Sequence, residues 1–133
     1  MTGGGVGSEP LARDRWRTAA WVLFALACAA NLYGLFAPSQ PGPGLPGGLD
    51  KVAHAASFAS IMITGVFAGI RALPLAIVLT VHAIGSELLQ GWLLADRAAD
   101  PWDVVADLIG VGLGWFAMWL SARGAGRRRA GRR

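Results

Sequence analysis

Glu87-Leu-Leu-Gln90-Gly-Trp92-Leu-Leu-Ala-Asp96-Arg97-Ala-Ala-Asp100-Pro101-Trp102-Asp103-Val-Val-Ala-Asp107 is the stretch that decides how this chain is read. It carries five of the eight acidic residues in the protein, Glu87, Asp96, Asp100, Asp103 and Asp107. Apolar sequence long enough to cross a bilayer flanks it on both sides. A carboxylate inside or beside such a segment is expensive to bury, so each one asks for a partner or a task.

The rest of the composition agrees with a membrane setting. Of 133 residues 54% are hydrophobic and 15% charged, with a mean hydropathy of +0.48. A soluble domain of this size carries about 25% charged residues. At about 20 residues per span, three or four spans use most of the length, which leaves no room for a separate soluble domain. The lone Cys28 can form neither an intramolecular disulfide nor a thiolate metal site, and it reads as a small hydrophobe. The net charge of +4 comes from basic ends. In an apolar chain these report topology, so no nucleic-acid partner is expected.

Outward from the opening stretch, four transmembrane helices are predicted at about residues 18–37, 51–70, 73–94 and 101–120. They make an all-α bundle spanning residues 16–121. Residues 1–15, Gly-rich at the start, are predicted as a disordered tail and residues 122–133 as a basic tail. Residues 38–48, with four prolines and four glycines, form a loop. Asp50 is placed to cap the second helix. Arg71 and Pro74 mark a short turn that makes the second and third helices an antiparallel hairpin. Asp100-Pro101 is a helix start, with Asp at the N-cap and Pro in the first turn. Gly110-x-x-x-Gly114 offers another helix a close approach.

With four spans, ten of the twelve Lys and Arg residues fall on the side of the termini and Arg71. Only Lys51 and Arg97 fall on the other. The positive-inside rule then puts both termini in the cytoplasm. Asp50, Glu87, Asp96, Asp100, Asp103 and Asp107 gather at the opposite, outer end, joined by His54 and Gln90. Asp100, Asp103, Asp107, Gly110 and Gly114 are spaced three or four apart and share one helix face. The expected object is a polar pocket opening outward, roofed by the Pro/Gly loop and the Asp96–Asp100 loop.

Taken singly, these residues have ordinary explanations. Asp50 and Lys51 suit a cap and an interfacial anchor. His54, one turn deeper, could be a general acid or base, a metal ligand, or a carboxylate's hydrogen-bond partner. Glu87 could pair with Lys51, Arg97 or His54 to hold helices together, or line the pocket with support from Gln90. Asp107 is too deep to cap and must be paired or protonated. His82, off the face of Glu87, reads as structural. No local metal signature such as H-E-x-x-H is present, so neither metal nor cofactor is assigned. Ser57, Ser60 and Ser86 lack a nucleophile's context.

In order along the chain, Asp50-Lys51-x-x-His54, Glu87-x-x-Gln90, and Arg97 followed by Asp103 and Gly110 resemble the VanZ-like family of small bacterial membrane proteins. That family has Asp-Lys-x-x-His, Glu-x-x-Gln, a loop Arg and Asp-x-x-x-Asn-x-x-Gly at the ends of consecutive spans. The resemblance covers about half the chain. Asp107 stands where the family has Asn, and Phe58 where a Tyr is common. The founding member is associated with resistance to the glycopeptide teicoplanin. The resemblance implies a multi-pass protein of the bacterial inner membrane that acts on the cell envelope. From the convergence of unlike ionisable groups at one membrane face, Glu87, His54, Asp103 and Asp107 are the catalytic candidates, Asp107 by its position and not by the resemblance. Asp50, Lys51, Gln90 and Arg97 would bind a lipid-linked or headgroup-bearing substrate, with Lys51 and Arg97 on its phosphate or carboxylate. Two other classes stand beside it: a small oligomeric, proton-coupled carrier, and a non-catalytic structural or partner-binding subunit. Few polar residues lie in the cytoplasmic half, Thr64 and Thr80 near the midplane among them, which weighs against the carrier.

Overall fold

The computed structural model describes residues 8–36, 48–93 and 100–130, with side chains over 14–36, 48–93 and 100–124. Four helices account for almost all of them: α1 (Ser8–Phe36), α2 (Leu49–Phe67), α3 (Ala72–Leu93) and α4 (Pro101–Ala130). Among the described residues there is no strand. Three segments, Asp14–Phe36, Ala72–Leu93 and Pro101–Gly124, are long and apolar enough to cross a membrane. Their outward faces carry Leu, Ile, Val and Trp side chains, such as Val81, Leu88 and Trp92, that water would not tolerate in such density. α2, which carries Asp50, Lys51 and His54 in its first turns, is not among these three.

Both predicted tails are partly helical. α1 begins at Ser8, not near Thr18, so residues 8–15 of the expected disordered tail are helix. Ser8-Glu9-Pro10 explains it: a capping residue type followed by an acid and a proline in the first turn is a helix-start pattern. At the other end α4 runs on to Ala130, with alanine and arginine, both good helix formers, on either side of Gly124 and Gly126.

Each end of α2 depends on a glycine in the left-handed region. Gly48, at φ 80°, is the N-cap, and no side chain caps the helix. Asp50 therefore lies inside the first turn instead of capping it, where it still complements the helix dipole. At the other end Gly69 has φ 99°. Its N–H donates to the Val66 carbonyl and that of Ile70 to the Gly65 carbonyl, both at 3.0 Å. That pair of bonds is a Schellman stop. It ends α2 three residues before the predicted boundary and turns the chain into α3.

Although α2 and α3 are joined by this short turn, α2 packs most extensively against α4. Glycine is the cause. A Cβ on Gly110 would fall on the Ala55 carbonyl, and one on Gly114 would lie 2.8 Å from Met62 Cβ and 3.0 Å from the Ala59 oxygen. The GxxxG pair is thus the seam along which α4 meets the Ala55–Ala59–Met62 face of α2. Phe58 and Met62, both fully buried, centre a core completed by Leu35, Leu75, Leu79 and Val111. Gly65 lets Phe24 of α1 and Leu75 of α3 close over α2.

Candidate functional site

The α2–α4 seam positions the ionisable groups. Asp103 and Asp107 lie seven and three residues before Gly110, on the same face of α4. His54 and Lys51 lie one and four residues before Ala55. Bringing Gly110 onto Ala55 therefore brings these four side chains together, and the helix ends add Asp50 and Asp100.

Lys51 is the hub of this cluster. Its ammonium lies 2.5 Å from Asp100 Oδ2, 2.5 Å from Asp103 Oδ1 and 3.1 Å from Asp50 Oδ2. An ammonium has three protons, so three carboxylates occupy all of its donor capacity. Both outer carboxyls, Asp50 and Asp100, are held below the usual carboxylate range, chiefly by their hydrogen bonds to Lys51. Asp100 also accepts the Trp102 N–H at 2.9 Å, the N-cap bond its sequence position predicts.

Deeper in, His54 Nδ1 lies 2.9 Å from Asp107 Oδ1, and Asp107 is only 2% exposed. With an ionised Asp107 the ring donates from Nδ1, which leaves Nε2 as the acceptor facing Asp103 Oδ2 at 3.8 Å, beyond hydrogen-bond range. The arrangement is a carboxylate-oriented imidazole with its second nitrogen turned toward another carboxylate. Such a group can take up and release a proton without moving.

Glu87 does not join His54 and Asp107. Its Oε1 accepts the backbone N–H of Asp100, so this buried carboxylate ties α3 to the start of α4. Gln90 does not support Glu87 directly either, since its Nε2 donates to the Leu35 carbonyl of α1 at 2.7 Å. Two of the expected pocket residues are thus interhelical ties. Arg97, Asp96 and the two loops expected to roof a pocket lie outside the described residues.

A second polar cluster sits further along the bundle. Asn31 of α1 donates from Nδ2 to Ser57 Oγ of α2 at 2.9 Å and accepts from His82 Nε2 of α3 at 2.9 Å. The His82 ring stacks on Phe58 at a centroid distance of 5.6 Å. His82, read from the sequence as structural, is tied to Asn31, a residue the sequence reading leaves unmarked. The available signal was that Asn31 and His82 are each a lone strong hydrogen-bonding residue in an apolar segment, and such residues seek each other across helices.

Among the described residues, a cavity lies beside the carboxylate cluster and not at its centre. It is a groove of about 730 Å³ between α1 and α2. Asp50 and His54 line one end, Asn31, Ser57 and Ser60 lie further along, and small residues such as Ala30 and Gly34 line the sides. Compared with known proteins, the chain matches no family model, no curated relative and no solved structure. What the chain's own geometry defines is an all-helical protein with three membrane-competent helices and a charged network at one end of the bundle.

Proposed function

We propose that this chain is a VanZ-like protein of the bacterial inner membrane with four spans and both termini in the cytoplasm. Its outer end binds, and acts as acid or base toward, a lipid-linked or headgroup-bearing envelope substrate. The fourth span is α2. With Asp50 and Lys51 left at the interface, its 16 residues from Val52 to Phe67 cover about 24 Å at 1.5 Å per residue, most of the ~30 Å hydrocarbon core. The arginine-rich C-terminal end and Arg71 then face the cytoplasm.

One observation carries this reading: His54, oriented by Asp107 and flanked by Asp103, lines the end of the α1–α2 groove. A proton-handling group is thereby placed where an amphiphile can reach it. Lys51 does not serve as the anion contact the sequence suggests, because its donors are committed to aspartates. The test is to compare His54→Gln and Asp103→Asn with wild type for envelope phenotype, glycopeptide susceptibility included, at matched protein abundance. A measurable loss is expected in both, and wild-type behaviour from both would sink the proposal.

Transport remains a second reading, because the Asn31–Ser57–His82 cluster continues the polar groups inward. The side-chain hydroxyls of Ser60 and Thr64, next along α2, bond back to their own helix at 2.7 Å and offer no onward relay. Flux through proteoliposomes that depends on both His54 and Asn31 would favour transport over the binding site.

A further inference from the structure

We infer that the α1–α2 groove holds one acyl chain of a lipid from the adjoining leaflet, and that the site at its mouth selects an ammonium-bearing headgroup. This rests on the outward-facing reading of that end and names the class of molecule bound there.

The length of the groove decides between a lipid and a helix. On α1 it runs from Leu26 to Leu35, and on α2 from Asp50 to Ser60. These ten and eleven residues, nine or ten helical rises, cover about 15 Å, half of a ~30 Å hydrocarbon core. A transmembrane helix from a second copy would need a groove along the whole span. An acyl chain in one leaflet needs half. The volume of about 730 Å³ lies within the range of ligand pockets, roughly 300–1,000 Å³. The walls are lowered by small residues, Ala27, Ala30 and Gly34 on α1 and Ala53 and Ala56 on α2. A Cβ added at Gly34 would meet nothing within 4 Å. Asn31, which is itself bonded to Ser57 and His82, forms part of the floor midway along the groove.

Charge decides the headgroup. Asp50, Asp100 and Asp103 share the single ammonium of Lys51. The His54–Asp107 pair adds no positive charge: it is neutral when both ring nitrogens are protonated and carries one negative charge when the ring holds the Nδ1 proton alone. The N-termini of α2 and α4 offset the surplus by roughly half a charge each, so a negative excess remains. Asp50 is the carboxylate of the cluster that lines the groove, and its side chain is 46% exposed. An ammonium placed over the chain would complete its coordination. A purely anionic headgroup would meet the Asp50 carboxylate, an imidazole already engaged by Asp107 and an ammonium already surrounded by aspartates.

The test uses the full chain, purified in detergent and analysed by native mass spectrometry with phosphatidylethanolamine or phosphatidylglycerol of identical acyl chains. Wild type is expected to retain phosphatidylethanolamine roughly fivefold better, about what one partly exposed ion pair supplies. Asp50→Asn should bring the two lipids close to parity. Ala30→Leu and, separately, Ala56→Leu fill the groove from opposite walls and should each reduce phosphatidylethanolamine retention. Equal retention of both lipids by wild type, or undiminished retention by both filled variants, overturns the proposal. Preferential phosphatidylglycerol retention that the filled variants abolish overturns the ammonium assignment while leaving the envelope-lipid reading in place. Loss of the envelope reading alone would appear as unchanged phenotypes for His54→Gln and Asp103→Asn with lipid retention intact.

Discussion

Lys51 carries the most consequence of any single residue. Three carboxylates converge on it from the first turn of α2 and the start of α4. Lys51→Met leaves them to repel one another at a half-sheltered site. The cost is expected at about 2 kcal/mol, between the values for exposed and buried pairs, read as a lowered unfolding midpoint in detergent. Adding Asp103→Asn to Lys51→Met should cost less than the two single effects together, because one interaction is being removed twice.

The outer aspartates also set an acid limit. Lys51 depresses the carboxyls of Asp50 and Asp100 in the folded state. A depressed carboxyl contributes stability that is fully present above its unfolded value of about 3.9 and is lost as pH falls through the lowered folded value. An unfolding midpoint followed against pH should therefore decline below about pH 4, and Asp100→Asn should flatten that decline. At this scale the sequence supplied the residue types and their grouping at one helix end. It could not separate Glu87, which holds the start of α4, from Asp107, which orients His54. Both are buried acids at similar depth, and only the crossing of α2 on α4 distinguishes them.

Among the elements, α4 shows how a weak sequence signal becomes decisive. Gly110, Gly112 and Gly114 look alike in sequence, yet Gly110 and Gly114 face α2 while Gly112 meets nothing within 4 Å. Gly110→Ala should force the Ala55 backbone away and cost about 1–3 kcal/mol. It should also separate His54 from Asp107, three residues away on the same face. Gly112→Ala should be neutral or stabilising by up to about 1 kcal/mol through helix propensity. Paired unfolding measurements on the two variants distinguish seam from surface. Helix starts at Pro101 and near Asp50 were legible because caps and breakers act locally. The end of α2 was not placed correctly, because its apolar pattern continues to Ile70 and only the left-handed Gly69 stops it.

For the whole molecule, the placement of basic residues makes a topological claim. A cysteine introduced at Leu49, which is exposed in the first turn of α2, in a chain with Cys28→Ser should react with a membrane-impermeant maleimide added to intact cells. One introduced at Arg71 should react only after the membrane is opened. The reverse pattern would put the groove mouth and the Lys51 cluster on the cytoplasmic side.

By itself, the sequence determined that the chain is helical and apolar enough for a membrane, and that its acids gather near helix ends. Those properties depend on composition, spacing and local capping, which act within a few residues. Tertiary structure alone decided which helix α4 packs on, that Lys51 is shared among three aspartates, that His54 meets Asp107 while Glu87 does not, and that the cavity opens between α1 and α2. The physical reason is that helix faces crowded with alanine and glycine are nearly interchangeable in a linear pattern. Once one pair of them closes to backbone contact, as Gly110 does on Ala55, the partners of every polar group along both helices are set.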